Sequence, residues 1–256
     1  MSFLSEIIER KLQRVESAKR EGPIESFEKR SGSHRLRQAL LRDGLNIIAE
    51  FKRRSPSKGV IRADADLKQI VSSYEAGGAA AISVLTEEDY FAGSLDDLRA
   101  VKRFVDVPVL RKDFIVDEYQ VYESAAAGAD AVLLIVAALD DDKLRTLRSL
   151  IEDDLGLDAL IEVHTQEEMQ RAIACGANLI GVNNRNLHTF EVSLETSVSL
   201  AAEAPASTVL ISESGLKNST DLARLRKAGY RGFLIGESLM RSENPEAALR
   251  DLMTTP

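Results

Sequence analysis

Two side chains of opposite charge, Glu50 and Lys52, lie two residues apart where an apolar run gives way to a polar segment. Alternate side chains of a β-strand point to the same face, so a strand through Ile48 would present both charges on one side. Burying a carboxylate and an ammonium is costly unless the two are paired. The pair is therefore either a structural ion pair at a strand end or an acid–base pair of an active site.

The segment that follows, Ser55-Pro56-Ser57-Lys58-Gly59, offers hydroxyls, backbone donors and a cation. All of these groups can donate hydrogen bonds to an anion. Their position directly after Glu50 and Lys52 favours the active-site interpretation.

Charged and amide side chains also stand at the ends of other apolar runs. They are Lys112, Glu162, Asn183, Arg185 and Glu213. In a parallel barrel the carboxyl ends of all strands open onto one face, so these groups would converge there. Acids and bases that share a site shift one another's pKa values, as proton-transfer chemistry requires.

Two glycine-containing segments, Ser214-Gly215 and Gly236-Glu237, end the last two apolar runs. Many barrels bind phosphate after strands seven and eight, on backbone N–H groups at the start of a short helix. Ser238-Leu239-Met240 resembles the start of such a helix. A turn would explain either glycine alone, whereas both in register favour a phosphate site. Phe91, Phe114 and Leu133 could form an apolar wall for an aromatic ligand, although each alone would be assigned to the core.

The elements that must hold these groups alternate along the chain. Eight apolar runs, at 47–51, 80–85, 107–110, 131–136, 159–163, 179–182, 208–211 and 232–235, are separated by helical patterns. These patterns lie near 64–76, 95–104, 117–127, 140–154, 165–175, 194–203, 218–228 and 245–252. Such alternation implies right-handed crossovers and a parallel sheet. Eight units predict a single closed (β/α)8 TIM barrel.

A weak internal repeat supports the barrel. Ala76-Gly77, Ala127-Gly128, Cys175-Gly176 and Ala228-Gly229 each end a helical pattern shortly before an apolar run. Glycine is the usual left-handed stop of a helix, so the repeat marks the even-numbered strands. An open doubly wound sheet is the alternative, but that fold usually has a glycine-rich fingerprint after its first strand.

The first strand is preceded by an N-terminal helical extension, residues 1–46, and the catalytic barrel domain spans 47–256. Helical patterns cover residues 3–20 and 33–41. We expect the extension to pack on the barrel and, as a sharper hypothesis, to cross the catalytic face as a lid. Its acidic side chains could then steady Arg53 and Arg54.

Composition narrows the class of protein. The chain has 256 residues, 44% of them apolar, and a net charge of -8, which argues against a nucleic-acid partner. One cysteine, Cys175, excludes an internal disulfide, and we expect it to be a small buried residue. The three histidines lack metal-ligand spacing, so we predict no metal site. No membrane span or signal peptide is predicted, which indicates a cytoplasmic protein.

Several segments, in order along the whole chain, resemble the indole-3-glycerol-phosphate synthase family. They are 48–57, 83–87, 110–114, 161–163, 181–187 and 212–215. The resemblance implies a carboxy-lyase of tryptophan biosynthesis, EC 4.1.1.48. Such an enzyme closes the indole ring of 1-(2-carboxyphenylamino)-1-deoxyribulose 5-phosphate with loss of CO2 and water. No metal or organic cofactor is implied, and we expect a monomer or weak homodimer with neither nucleic-acid nor membrane partners.

The resemblance also implies roles for single residues. Lys112 matches the general acid that protonates the ketone oxygen, and Lys52 a second acid associated with loss of the hydroxyl. Glu162 matches the group that removes the last ring proton, and Glu50 a carboxylate that orients Lys52. Which lysine serves which step is left open by the sequence.

Binding residues are assigned in the same way. The substrate-binding set is Asn183, Arg185, Glu213, Phe91, Phe114, Leu133 and Leu187. The phosphate-binding set is Ser55, Ser214, Gly215, Gly236 and Glu237. Glu237 stands where some relatives have serine, a change that would preserve a backbone N–H contact and remove a hydroxyl contact.

Two alternatives remain open at this stage. A phosphoribosylanthranilate isomerase-like barrel binds similar ligands, but it would need a cysteine base where this chain has Glu50 and Lys52. A non-catalytic phosphate-binding barrel would not need two lysines facing carboxylates.

Overall fold

The computed structural model describes residues 3–22, 24, 34–187 and 189–254. Ser33 and His188, which entered the sequence predictions, lie outside these residues, as does much of 23–33 in the predicted extension. The strands are β1 (Asn46–Phe51), β2 (Ala81–Leu85), β3 (Val109–Lys112), β4 (Ala131–Ile135), β5 (Asp158–Val163), β6 (Leu179–Asn183), β7 (Val209–Glu213) and β8 (Gly232–Ile235). These eight strands pair only in parallel, and β1 pairs with both β2 and β8, so the barrel is closed and the TIM-barrel prediction is confirmed.

Helices follow the strands on the outside of the barrel, after two N-terminal helices. They are α1 (Phe3–Glu21), α2 (Arg35–Leu40), α3 (Leu67–Ala76), α4 (Leu95–Val101), α5 (Glu118–Ala126), α6 (Asp141–Ser149), α7 (Gln166–Ala174), α8 (Glu195–Ala201), α9 (Ser219–Lys227), α10 (Glu237–Arg241) and α11 (Pro245–Met253). Side chains cap many of them: Ser94, for example, accepts a hydrogen bond from the backbone N–H of Asp97 at 3.0 Å. The short helix predicted after β8 is present as α10.

The predicted helix stops are glycines with positive φ in three of the four repeats. Gly128, Gly176 and Gly229 have φ angles of 89°, 82° and 107°. In the first repeat the left-handed residue is Gly78, with φ of 95°, and not Gly77, whose φ of -71° continues the helix. The repeat is therefore real, with its first stop one residue later than predicted.

The interior of the barrel changes character along its axis. Inward side chains in the lower and middle layers are apolar, among them Ile48, Leu110, Leu160 and Ile211. At the carboxyl ends of the strands the inward side chains are charged or amide groups. Period-two alternation produces this pattern, because Glu50 follows Ile48 and Glu162 follows Leu160 on the same face.

Helix α2 closes the opposite, N-terminal end of the barrel. Leu36 and Leu40 are fully buried among the interior apolar residues. The Asp158 carboxylate, at the start of β5, accepts hydrogen bonds from the backbone N–H groups of Leu36 and Arg37 at 2.9 and 3.1 Å. A carboxylate at a helix N-terminus is favourable because the free N–H groups point toward it. Helix α2, the second helix of the extension, therefore does not cross the catalytic face.

Helix α1 does pack across the catalytic face. The buried Lys11 ammonium lies 2.8 Å from Asp113 Oδ1, which directly follows β3, and 3.2 Å from Glu88 Oε2 after β2. Lys19 pairs with Asp117 Oδ2 at 2.9 Å, also after β3. Burial alone would lower the pKa of Lys11, but the Asp113 and Glu88 carboxylates outweigh it and raise that pKa.

The loop after β1 contains a small antiparallel hairpin, Arg54–Ser55 with Gly59–Val60, that the sequence did not predict. Before it, Arg53 forms a two-pronged ion pair with Asp97, at 2.6 and 2.9 Å, and lies 4.8 Å from the Phe51 ring centroid. The expectation that acidic residues of the extension would steady Arg53 is therefore wrong, because α4 supplies the carboxylate. Arg54 is exposed.

Other expectations concern single features. Cys175 is buried, as predicted. None of the helices in the described ranges is long and apolar enough to cross a membrane. Within those same ranges, no three His, Cys, Asp or Glu side chains are grouped so as to hold a metal ion.

Candidate active site

A cavity of about 920 Å³ opens at the carboxyl ends of the strands. Every residue assigned to the site from the sequence lines it. They are Glu50, Lys52, Ser55, Phe91, Lys112, Phe114, Leu133, Glu162, Asn183, Arg185, Leu187, Glu213, Ser214, Gly215, Gly236 and Glu237. The closed barrel brings them together from all eight strands and their following loops.

Lys112 lies at the centre of the charged groups. Its Nζ is 3.0 Å from Glu162 Oε2 and 3.4 Å from Glu213 Oε2. Both carboxylates are almost fully buried. Burial alone would lower the pKa of Lys112, but Glu162, Glu213 and Glu50 together hold it well above its usual range. Lys112 is therefore a charged proton donor at neutral pH.

The two carboxyl groups beside Lys112 differ in pKa. Burial would raise the pKa of Glu162, but the charges of Lys112 and His164 and the hydrogen bond from Lys112 hold it well below its usual range. Burial raises the pKa of Glu213 to about 8, with Lys112 opposing and the Glu162 and Glu50 carboxylates reinforcing the rise. One lysine cannot fully compensate two adjacent carboxylates, so the pKa of Glu213 is raised while that of Glu162 is lowered.

Space for Glu213 and Glu50 is provided by two glycines, one on β6 and one directly after β8. A Cβ at Gly181, on β6, would collide with Glu213 Oε1. A Cβ at Gly236 would lie 2.7 Å from Glu50 Oε1 and 3.0 Å from Glu50 Cβ. Glycine at both positions therefore permits the close approach that the charged groups require.

Glu50 and Lys52 form a second charged pair. Glu50 is buried, Lys52 is partly exposed, and the ammonium is hydrogen-bonded to Glu50 Oε1. The Tyr74 hydroxyl donates to the Glu50 backbone carbonyl at 3.3 Å. The ion pair predicted from the two-residue spacing is thus present and faces the cavity.

Asn183 connects the charged cluster to the loop after β6. Its amide Nδ2 donates to Glu162 Oε1 at 3.2 Å, and its Oδ1 accepts from the Arg185 backbone N–H at 3.0 Å. Arg185 in turn donates to the Phe190 carbonyl at 3.0 Å. Its guanidinium is thus held at the rim of the cavity by its own loop.

The apolar wall is formed by side chains from several loops. The Phe91 and Phe114 ring centroids are 6.3 Å apart, and Leu133 and Leu187 also line the cavity. Phe3 and Leu4 of α1, which the sequence interpretation did not assign to the site, line it as well. Phe3 packs edge-on against Tyr90 at 5.1 Å and Phe190 at 5.9 Å between centroids.

The opposite wall is polar. Ser55 and Lys58 come from the β1 loop, and Ser214 and Gly215 have consecutive positive φ angles of 67° and 80° after β7. Glu237, the first residue of α10, lies 3.3 Å from Arg241 Nε and 3.9 Å from Lys58 Nζ. Its carboxylate is thus flanked by two cations on the side where we predicted phosphate.

A further side chain of the site, His164, was not predicted. Its Nε2 lies 3.3 Å from Glu162 Oε1 and its Nδ1 lies 3.1 Å from Glu168 Oε2. The sequence does contain a signal for His164, because position 164 follows Glu162 by two residues and so shares its strand face. Phe3 and Leu4 gave no comparable signal, since only tertiary packing brings α1 to the cavity.

The comparisons with known proteins agree with this geometry. A family model described as indole-3-glycerol phosphate synthase matches residues 4–252. The chain belongs to the indole-3-glycerol phosphate synthase family. An indole-3-glycerol phosphate synthase from Carboxydothermus hydrogenoformans is 45% identical to this chain, over 98% of this chain and 99% of its own length. Another, from Desulfotalea psychrophila, is 48% identical over 98% of each chain. One from Bacteroides thetaiotaomicron is 46% identical over 98% of this chain and 97% of its own.

Solved structures outside the indole-3-glycerol phosphate synthase family share the fold. A thiamine phosphate pyrophosphorylase from Pyrococcus furiosus superposes with a TM-score of 0.60 at 18% identity, covering 85% of this chain and 95% of its own. KGPDC from Streptococcus mutans gives 0.61 at 14% identity, with 82% and 96% covered. At such identities the likeness concerns the barrel alone.

Proposed function

We propose that this barrel closes the indole ring of 1-(2-carboxyphenylamino)-1-deoxyribulose 5-phosphate, releasing CO2 and water to give indole-3-glycerol phosphate. Family membership supports this activity, which places the protein in tryptophan biosynthesis. The observation that carries it is Lys112, held between Glu162 and Glu213 in a cavity with one apolar and one polar wall. The aromatic ring of the substrate matches the apolar wall, its ketose chain the charged groups around Lys112, and its phosphate the polar wall.

Lys112 serves as the general acid of ring closure. As the aryl carbon attacks the ketone carbon, the ketone oxygen gains negative charge and needs a proton. A lysine whose pKa is raised keeps that proton until a more basic oxygen forms beside it. Its charge also attracts the substrate carboxylate, which leaves as CO2 after the new carbon–carbon bond has formed.

Lys52 serves the second stage, in which the former ketone oxygen departs as water. Expelling hydroxide needs a proton donor on that oxygen, and the Lys52 ammonium lines the same cavity as Lys112. Its contact with Glu50 fixes its direction.

Glu162 removes the last ring proton. While Lys112 is charged, Glu162 has a low pKa and is a weak base. Once Lys112 has given its proton to the substrate, its charge no longer stabilises the carboxylate. Glu162 then becomes a stronger base. This change comes at the right time, because the reaction needs an acid first and a base afterwards.

The two walls place the ends of the substrate. The aromatic ring lies against Phe91, Phe114, Leu133 and Leu187, with Asn183 and Arg185 as polar contacts. The phosphate binds near Ser55, Ser214, Gly215 and Gly236, where backbone N–H groups and a hydroxyl can reach it. Binding energy from this remote phosphate helps to hold the reacting carbons in place. Glu237 belongs to this end, and its effect is electrostatic.

The proposal extends to the setting of the reaction. The lysines and carboxylates provide a donor or acceptor for each proton transfer, so we include no metal and no organic cofactor. We retain the division into an extension, 1–46, and a catalytic barrel, 47–256. We also infer a cytoplasmic monomer or weak homodimer with neither nucleic-acid nor membrane partners.

Turnover of the purified chain, followed by the appearance of indole fluorescence, tests the activity directly. We expect substrate-dependent fluorescence without added metal or cofactor, and no conversion of phosphoribosylanthranilate. Isomerisation of that compound in place of ring closure would favour the sister barrel, and binding without turnover a non-catalytic barrel. Crystals soaked in phosphate should show an anion at the amides of Gly215 and Gly236, and an anion found only elsewhere would contradict that assignment.

A further inference from the structure

A chain of three side chains runs from α7 to the charged cluster. Glu168 Oε2 accepts hydrogen bonds from the His164 backbone N–H at 2.7 Å and lies 3.1 Å from His164 Nδ1. On the other side of the ring, Nε2 lies 3.3 Å from Glu162 Oε1. Glu162 lines the cavity, and His164 links it to Glu168 without being a lining residue itself.

Glu168 is itself held in place by the start of its helix. It occupies the third position of α7, and the Thr165 hydroxyl caps its backbone N–H at 3.2 Å. The carboxylate returns to the backbone N–H of His164, an arrangement related to the capping box. The Glu168 oxygen is therefore fixed, and it selects Nδ1 of His164 as a protonated nitrogen.

The second ring nitrogen must also hold a proton. Nε2 faces a carboxylate oxygen at ion-pair distance, without the geometry of a hydrogen bond. A bare nitrogen lone pair beside an ionised carboxylate would be repelled, whereas an imidazolium is attracted. Burial would lower the pKa of His164, but its contacts with Glu162 and Glu168 outweigh burial and raise it to about 9.

The two oxygens of Glu162 therefore have different partners. Oε1 faces His164 and the Asn183 amide, and Oε2 faces Lys112. Glu213 lies on the far side of Lys112. The Glu50 carboxylate of β1 also acts on Lys112 and Glu213. In the described part of the chain, His164 is the second cation beside Glu162.

We propose that His164 is a positioning residue: its imidazolium, held by Glu168, fixes the Glu162 carboxylate and keeps it ionised while Lys112 gives up its proton. This inference rests on the proposed roles of Glu162 and Lys112. Without His164, the buried Glu162 carboxylate would retain only Lys112 as a cation. Proton transfer from Lys112 to Glu162 would then compete with transfer to the substrate ketone, because transfer to Glu162 removes both charges of the pair from a buried site.

The test compares His164→Gln with the parent and with His34→Gln. Glutamine keeps a donor near Glu162 without a charge. His34 lies at the opposite end of the barrel, 3.2 Å from Asp158 Oδ1, and provides a matched change of histidine to glutamine. For His164→Gln we expect kcat to fall about tenfold to a hundredfold, with KM within about threefold, because the loss concerns alignment and charge and not binding.

The pH dependence of kcat separates this role from mere packing. Removing a cation raises the pKa of Glu162, so the acid limb of the kcat profile should move to higher pH in His164→Gln. It should not move in His34→Gln. A His164→Gln variant with the parent's acid limb and a kcat within about twofold overturns the inference. If the parent itself forms no indole product, the proposed function fails instead, which is a different outcome.

A measurement on the unmodified protein covers the case in which His164→Gln does not fold. Nitrogen-15 NMR of the imidazole rings reports whether one or both nitrogens carry a proton. We expect both nitrogens of His164 to be protonated at neutral pH, and Glu168→Gln to lower the pH at which the ring becomes neutral. A neutral His164 ring in the parent at neutral pH would overturn the proposal.

Discussion

Glu213 occupies the space that a side chain at Gly181 would fill. A Cβ at position 181 would collide with Glu213 Oε1 and would lie 3.3 Å from Leu160 Cδ1. Glu213 in turn lies 3.4 Å from Lys112 Nζ. Because Gly181 on β6 has no side chain, the Glu213 carboxyl group of β7 can lie beside Lys112, the proposed general acid.

We predict that Gly181→Ala lowers kcat about tenfold to a hundredfold, because Glu213 must move by a distance that disturbs Lys112. The matched control is Gly232→Ala near the other end of the barrel. A Cβ there would lie 2.9 Å from Ile211 Cγ1 and 3.1 Å from Leu40 Cδ2. The control should lower the melting temperature through overpacking and leave kcat nearly unchanged. Equal kcat values for the two variants would show that Gly181 matters only for packing.

Lys112→Ala should lower kcat by about 10²–10⁴, the usual range for one general acid. The reason is its position between two buried carboxyl groups, where its raised pKa keeps the proton available. Lys143→Ala, a change at an exposed lysine of α6, is the control for the substitution itself. Steady-state kinetics and circular dichroism are measured on both. Activity within about threefold of the parent would remove Lys112 from the mechanism.

The strands and the charged side chains at their ends were accessible from local periodicity, whereas binding residues of the connecting loops, such as Ser55 and Leu187, were assigned through the family resemblance. Glu50 and Lys52 share a face for the same reason that Leu160 and Glu162 do. The closure of the barrel then converts strand ends into one site. This is why all of the residues assigned from the sequence line a single cavity.

Other features depend on packing and have no local pattern. Helix α2 has only six residues, and nothing in their order shows that Leu36 and Leu40 seal the barrel. Treating the extension as one unit on the catalytic face was therefore wrong for α2. A deletion of residues 1–40 would expose the barrel interior as well as remove α1, so it would not isolate the effect of α1.

Glu237→Gln should tighten the binding of substrate and of inorganic phosphate. A carboxylate near the proposed phosphate site repels a dianion, and removing one charge a few ångströms away is worth about 1 kcal/mol in a partly solvated site. We therefore expect KM to fall by about threefold to tenfold. Glu246→Gln on α11, where the glutamate pairs with Arg250 at 2.7 Å, is the exposed control.

Titration calorimetry with inorganic phosphate checks the same prediction without turnover. An unchanged dissociation constant in Glu237→Gln would indicate that the phosphate binds away from α10. Weaker binding would indicate that Glu237 serves mainly to hold Lys58 and Arg241, its two cationic neighbours.

The free energy of unfolding should fall as the pH rises from about 6.5 to about 9, in part through His164. The pKa of His164 is raised from 6.5 to about 9 in the folded protein. A raised pKa means that the folded state binds the proton more tightly, so the stabilisation is complete below pH 6.5 and is lost through pH 9. Chemical denaturation across this range should show a smaller fall in His164→Gln than in the parent. Parallel curves would contradict the prediction.

The ion pair between Lys11 and Asp113 should hold α1 on the catalytic face. The Asp113 side chain is fully buried and retains Arg111 at 3.1 Å and the Thr86 hydroxyl at 2.6 Å when Lys11 is removed. Removing one partner of a buried pair usually costs 3–5 kcal/mol, so we expect Lys11→Met to cost about 3 kcal/mol, the low end of that range. Because Phe3 and Leu4 reach the cavity through α1, KM should rise more than kcat falls.

Lys19→Met is the matched control on the same helix. Lys19 is exposed and its pair with Asp117 lies at the surface, so its loss should change stability far less than the loss of Lys11. Denaturant unfolding and steady-state kinetics on both variants separate anchoring from general loss of charge. If Lys11→Met is destabilised while its KM equals the parent's, α1 contributes to the fold and not to substrate binding. A KM raised to the same extent in Lys19→Met would show instead that the buried pair has no special part in placing α1.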